Sequence, residues 1–291
     1  MKLKRAFSLI ELSIVILIIG ILVAGITQAS RLVAQMKIAS ARTQTQSAPV
    51  TSIKGLMLWL ETTMETAFQT SEAEDVANVT LWNDYSPQSV SKNNVSRGTS
   101  DNNITYKTNG INGLPSLSFG GSTGATTFLS GTLISNPKDI FTFFLVAKSD
   151  DTTSTNYRIA FLNGGTAPSV NGWIYQKGGG GGVNNGKRVL TLWSSIDSAG
   201  SNITSNPEII SATYDGTNVK LWANGTAETL NNPSGSIATP ITAIYVGNSP
   251  NGSYPWQGLI GEIIVFDSVL KNADRKDVEK YLGKKWGVKI N

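Results

Sequence analysis

Residues 12–30 of this 291-residue chain, LSIVILIIGILVAGITQAS, contain no charged side chain. Wound as an α-helix, such a stretch extends about 28 Å, close to the ~30 Å hydrocarbon thickness of a bilayer. Lys2, Lys4 and Arg5 precede it, so the positive-inside bias places the N-terminus in the cytoplasm and the rest of the chain across the membrane. A secretory signal peptide would account for the basic start and the apolar run. It would not account for Glu11, an acid set at the head of that run. A carboxylate at mid-membrane costs about 2.5–3.5 kcal/mol on insertion scales and marks a functional position that needs a cation.

The residues around Glu11 carry a resemblance. Lys2 through Arg5, then Ala6-Phe7-Ser8-Leu9-Ile10-Glu11-Leu12 and the apolar run, resemble the class III leader of type IV prepilins and type II secretion pseudopilins. The resemblance implies cleavage by a prepilin peptidase between Ala6 and Phe7, then N-methylation of Phe7. Glu11 becomes the fifth residue of the mature chain. Cleavage would create an α-amine of pKa about 7.7–8.0, still cationic when methylated. Paired with Glu11 of a neighbouring subunit in low dielectric, that amine would set the stagger of an assembly. The family usually has Gly where Ala6 stands, and many pilins have a Pro where this chain has Gln28.

Beyond the span the helix is expected to continue. Leu32, Val33, Met36 and Ala39 share one face, with Arg31, Lys37 and Arg42 alongside, and that face is expected to pack on a globular domain. The polar run 43–47 and Pro49 should end the helix, with 43–50 read as solvated linker. The expected organisation is a leader over 1–6, a membrane-spanning assembly helix over 7–46, a linker over 47–54 and a β-sandwich over 55–291.

Composition narrows what that sandwich can do. With no Cys and no His, disulfides, thiol chemistry and Ser-His triads are excluded. Charged residues make up 15%, low for a globular protein, in a sequence rich in Gly, Ser, Thr and Asn. The formal charge of +4 comes from the first six residues and a basic C-terminal end. No basic stripe with interleaved aromatics runs between them, so no nucleic-acid partner is expected.

Apolar or β-branched runs recur between turn signals at 56–60, 114–119, 140–147, 158–162, 189–193, 209–214, 219–222, 244–246 and 259–266. Asp215-Gly216 and Asn224-Gly225 mark hairpin turns. The pattern predicts an all-β two-sheet sandwich followed by one C-terminal helix. In that helix Asn272 is the expected cap, Val278, Tyr281, Leu282 and Trp286 line one face, Lys284 and Lys285 favour the C-terminal dipole, and Gly287 stops it.

The segments Gly55-Leu56-Met57-Leu58-Trp59-Leu60, Trp82-Asn83-Asp84-Tyr85-Ser86 and Asn112-Gly113-Leu114-Pro115, with the stretch from Gly261 to Gly287, resemble concanavalin A-like, laminin-G-like lectin and glucanase domains. The resemblance implies a jelly-roll sandwich that binds glycans or proteins. Glycoside hydrolysis would require two carboxylates on one face about 5–5.5 Å apart for retention. Glu262 and Asp267, five apart on one strand, point to opposite faces, so no enzyme is expected. Trp82, Trp173, Tyr254 and Trp256 are the candidates for stacking on a ligand. No cofactor is expected; calcium, common in the resembled family, would need loop acids such as Asp84, Asp101, Asp150 and Asp151.

The expected function is that of a pilin-like subunit displaying a lectin-like head for adhesion or surface recognition, as a minor or tip subunit. Its expected partners are the prepilin peptidase, other pilin subunits, the inner membrane and a glycan or surface-protein ligand. A type II secretion pseudopilin is the rival reading, and a membrane-tethered glycan hydrolase a third.

Overall fold

The computed structural model describes residues 9–87, 91–98, 104–121, 127–133, 140–151, 156–163, 173–178, 184–192, 196–232, 234–235 and 243–291. Helix α1 (Leu9–Gln46) leads into a 3₁₀ turn (Pro49–Ser52) and the sandwich. The first strands are β1 (Leu56–Glu61), β2 (Leu81–Trp82), β3 (Val95–Arg97), β4 (Ile104–Lys107), β5 (Ser116–Gly120) and β6 (Leu129–Thr132). Then come β7 (Phe141–Ser149), β8 (Arg158–Asn163), β9 (Trp173–Lys177), β10 (Lys187–Leu192) and β11 (Ile196–Asn202). The last are β12 (Glu208–Tyr214), β13 (Val219–Ala223), β14 (Thr226–Ala227), β15 (Ala243–Val246) and β16 (Gln257–Phe266), followed by α2 (Asn272–Trp286).

Two antiparallel sheets stack face to face. One runs β14-β13-β12-β7-β16-β5-β4, with β1 also paired to β16; the other runs β11-β10-β9-β8-β15-β6-β3-β2. Strand β16 pairs with β5 through its first half and with β1 through its second, so β1 and β5 lie end to end beside it. The predicted sandwich with a terminal helix is the architecture found. Seven strands were missed, β2, β3, β4, β6, β9, β11 and β14; β2, β3, β14 and the polar β11 give no usable apolar pattern.

The first sheet is buried on both faces, which is why its central strands read as unbroken apolar runs. Along β7, Phe143 and Leu145 point into the core between the sheets, where they join Phe161, Leu190 and Ile244. Phe144 and Val146, alternating with them, enter a second core beneath α2 with Ile264, Phe266, Val278, Leu282 and Trp286. Burying each such side chain contributes about 1.5–3 kcal/mol. The indole of Trp286 packs directly against β16 at Gly261, where a Cβ would stand 2.5 Å from its ring. Gly287 closes α2 in the left-handed conformation (φ 63°), as expected.

Three expectations about the helices need correction. Asn272 is not the cap of α2; Lys271 holds that position without a side-chain bond, and Asn272 instead accepts from Arg275 at 2.7 Å. Residues 43–50 are not solvated linker. The helix runs to Gln46, Thr45 and Val50 are wholly buried, and Ala48 nearly so. The helix face that meets the sandwich is also not the expected one. Leu32, Val33 and Met36 are more than half exposed, while Ile38, Ala41 and Thr45, spaced as one helical stripe, turn inward. Polar residues continue the helix here because packing, not propensity, decides its end.

Candidate functional site

Three regions bear on function: the bare part of α1, the joint between α1 and the sandwich, and the outer face of the second sheet. In the first, Glu11 lies in the opening turn of α1. Ala6 and Phe7 fall outside the described residues. The most apolar window of the helix has none of its residues buried. Leu12, Ile16, Ile19, Leu22, Val23 and Ile26 are each at least half exposed. A surface of that size and polarity is stable only against lipid or other apolar helices. The helix is long and apolar enough to cross a membrane.

The joint is built around a buried ion cluster. Lys285 Nζ lies 2.5 Å from Glu61 Oε2 and 2.9 Å from Glu262 Oε2, and all three side chains are fully buried. Glu262 also accepts from Trp59 Nε1 at 2.7 Å, Tyr281 Oη at 2.8 Å and Trp286 Nε1 at 2.8 Å. Glu61 further accepts from the Thr63 hydroxyl at 2.8 Å and from the Met64 amide. From the stalk, Thr45 Oγ1 reaches Tyr281 Oη at 3.4 Å, and Arg42 Nε donates to the Thr63 carbonyl at 2.8 Å.

Charge settles the protonation states here. Burial alone would lower the Lys285 ammonium, but the facing Glu262 and Glu61 carboxylates outweigh it, and the net shift is upward. Burial, reinforced by Glu262, pushes Tyr281 well above the ordinary phenol range, and burial with Glu61 raises Tyr106 to about 12. The lysine therefore stays charged and both phenols stay neutral across physiological pH. Five protein donors hold Glu262 and Glu61 besides Lys285, and burial leaves neither open to substrate. The cluster is a structural lock rather than an acid–base pair.

Sequence reasoning missed this cluster because it searched for paired carboxylates along single strands. The partner of Glu262 is Glu61, directly opposite it in the β1–β16 register. The signal was present in α2: Lys285 follows Val278, Tyr281 and Leu282 at the i+7, i+4 and i+3 positions of the apolar stripe. It faces the core instead of serving the helix dipole.

The third region is the outer face of the second sheet. In β8 and β15, Phe161 and Val246 enter the inter-sheet core. Their alternating neighbours Leu162 and Tyr245 point the other way, where Ile159 and Tyr254 join them in a small separate cluster. Phe128 meets Tyr245 edge-on at 5.3 Å, and Tyr157 meets Tyr254 edge-on at 5.6 Å. All four aromatic rings are half-buried, each with part of its surface open.

Of the four aromatic candidates, only Tyr254 is described on an accessible surface. Trp82 is wholly buried, stacked on Phe68 and donating to the Glu61 carbonyl at 2.9 Å. Trp256 is also a core residue, and its Nε1 has no hydrogen-bond partner among the described residues. Neither has a ring face free for a ligand, because the large indoles serve to fill the core. Trp173 sits in β9 opposite Leu192, and its side chain lies outside the described residues. Phe128, Tyr157 and Tyr245 were missed, being isolated from one another in sequence.

The loop acids are also spoken for. Asp84 accepts from the Trp59, Ser86 and Asn93 amides and the Ser86 hydroxyl. Asp150 pairs with Lys148 and Asp151 with Arg158, while Asp101 lies outside the described residues. Among the described residues no group of three or more acids is placed to hold a metal ion.

Comparison with known proteins decides the first region. Residues 1–27 match the family model described as the prokaryotic N-terminal methylation motif. The chain carries a type IV prepilin motif. The pilin-like helix and the sandwich thus have separate relatives. A Trypanosoma rangeli sialidase superposes with a TM-score of 0.54 at 12% identity, over 85% of this chain and 38% of that one. The same sialidase with the inhibitor DANA gives 0.53 at 12%, over 84% and 38%. Domain 4 of the arabinanase AbnA from Geobacillus stearothermophilus, in complex with arabinotriose, gives 0.48 at 15%, over 77% and 98%. The chain spans little more than a third of the sialidases, and at that identity the likeness is one of fold, a β-sandwich. No curated protein sequence matches the chain significantly.

Proposed function

We propose that the protein is a non-enzymatic subunit of a type IV pilus or related filament, displaying its sandwich for adhesion or surface recognition as a minor or tip subunit. The observation that carries this reading is the prepilin motif over 1–27 leading into an apolar helix that its own chain leaves uncovered. In this reading a prepilin peptidase cuts between Ala6 and Phe7 and methylates the new Phe7 amine. Glu11 of one subunit then pairs with that amine on another. Before assembly the chain sits in the inner membrane with its N-terminus in the cytoplasm; afterwards the sandwich stands outside on the filament.

The half-open aromatic face around Tyr245 and Tyr254 supports a binding role, since aromatic rings with exposed edges suit sugar or protein contacts. The saturation of Glu61 and Glu262 by fixed partners supports the absence of hydrolysis there. Mass spectrometry of the mature N-terminus from sheared surface filaments tests the reading. Methylated Phe7 in that fraction is expected, and cleavage near Ala29 or an intact N-terminus would overturn it. Deleting the sandwich should then abolish adherence while filaments persist; a block in export of specific proteins with adherence unchanged would assign the chain to a secretion pseudopilus instead.

A further inference from the structure

A crevice of about 310 Å³ lies where the stalk meets the sandwich. Ser30, Val33, Ala34 and Lys37 of α1 form one wall, and Asn109 and Gly113 the other. Its depth along the stalk is informative. The uncharged stretch ends at Ser30, about 28 Å from its start and so at the far edge of the hydrocarbon layer. Lys37 stands about 10 Å further along the axis. The crevice therefore opens at the hydrocarbon boundary and runs through the headgroup layer, roughly 5–8 Å deep in each leaflet, with the backbone of Lys37 just past its outer edge.

Its chemistry changes along that depth. Val33 and Ala34 continue the apolar surface of the spanning helix. At the far end the Lys37 ammonium lies against Gly113, where an added Cβ would stand 3.0 Å from Nζ and 3.7 Å from Asn109 Oδ1. Lys37 is exposed and makes no ion pair among the described residues. We propose that this crevice seats the phosphate of an inner-membrane phospholipid, held by the Lys37 ammonium and the Asn109 amide with the lipid's apolar part against Val33 and Ala34. The seat rests on the reading of residues 12–30 as membrane-spanning. Thr108, on the same rim, anchors the Asp75 carboxylate at 3.0 and 3.1 Å. A negative charge beside the seat admits a single phosphate and disfavours a polyanion. Docked this way, the sandwich would rest on the outer surface of the membrane in a fixed pose until its helix is drawn into an assembly.

The test uses the full chain in mild detergent, titrated with phosphatidylglycerol and followed by native mass spectrometry. Wild type is expected to retain lipid, and Lys37→Glu to retain about tenfold less, the loss of one charge-assisted contact of ~1.4 kcal/mol. Lys220→Glu, on β13 near the opposite edge of the first sheet from β4, should retain as much as wild type. Both lysines are exposed, and circular dichroism checks that both variants fold. Equal retention by wild type and Lys37→Glu overturns the seat. Competition by inorganic phosphate at equal concentration would also overturn it, because the site would then select phosphate and not lipid. Failure of the chain to insert into vesicles of the same lipid is a separate result that breaks the membrane-spanning reading itself.

Discussion

The two ends of α1 satisfy the same physical demand in opposite ways. From Leu9 to about residue 37 every apolar side chain of the helix stands exposed among the described residues. From Ile38 to Gln46, with fewer apolar residues, it is held by its own sandwich through Ala41, Thr45 and the Arg42 contacts. The less apolar half is the covered one, so partner geometry and not apolar content decides which half is buried. A helix that is apolar all round needs a surrounding solvent of helices or lipid. A helix with a narrow stripe of small residues can lie close to a folded domain. The joint thus fixes the sandwich to the stalk, while the bare half keeps its apolar surface exposed.

The largest effect should come from the bare half. Glu11→Ala is expected to abolish filament formation while leaving membrane insertion and leader cleavage intact, as read by electron microscopy of shear fractions beside immunoblots of the membrane. Filaments in wild-type number would break the charge-pairing account of assembly.

At the joint, Lys285→Met removes the one cation between two buried carboxylates. Removing a single partner from such a cluster costs about 3–5 kcal/mol, expected as a lower urea midpoint of the sandwich. A midpoint within error of wild type would mean the carboxylates find protons or water, and that the lock is not ionic. Neutralising both acids as well, through Glu61→Gln and Glu262→Gln in the Lys285→Met background, should recover part of the loss.

The same cluster fixes a pH dependence. The folded pKa of Lys285 lies above its ordinary value, as do those of Tyr281 and Tyr106. Groups that bind their protons more tightly when folded contribute their full stability below the unfolded pKa values, about 10–10.4, and lose it as pH rises through the folded ones. The urea midpoint should hold steady from pH 7 to about 10 and fall beyond it. A decline already under way at pH 8–9 would show that these groups do not govern the alkaline limb.

How far these features could be read from sequence follows the range of the interactions. The spanning helix, the long strands β7 and β16 and the stripe of α2 are local patterns, and they were legible. Strands β2, β3 and β14 are two or three residues long, and β11 is largely polar; tertiary pairing makes them, not periodicity. Trp82 and Trp256 sit in loop-like sequence yet fill the core, because Asn and Gly around an indole describe its backbone and not its burial. The ion cluster joins residues from β1, β16 and α2, and the aromatic face joins three segments far apart in sequence, around Phe128, Tyr157 and residues 245–254. Neither has a local signature, although a lysine on the apolar stripe of α2 was a clue that could have been used.

The smallest expected effect is the sharpest check on the division of the helix. Ala41 is buried against the sandwich, whereas Leu32 and Met36 are 58% and 62% exposed within the preceding three turns. Ala41→Asp introduces an unpaired charge into a closed contact and should destabilise the sandwich by at least about 2 kcal/mol. Leu32→Ser and Met36→Ser, though far less conservative in polarity than their neighbours' packing would suggest, should shift the same midpoint by no more than about 0.5 kcal/mol. Any loss they cause should appear only in filament yield, where the proposed assembly would set those side chains against other subunits. If instead Leu32→Ser or Met36→Ser destabilises the isolated chain as much as Ala41→Asp, the sandwich grips the helix through the face that sequence periodicity indicated, and the boundary between the bare and docked halves moves toward the membrane.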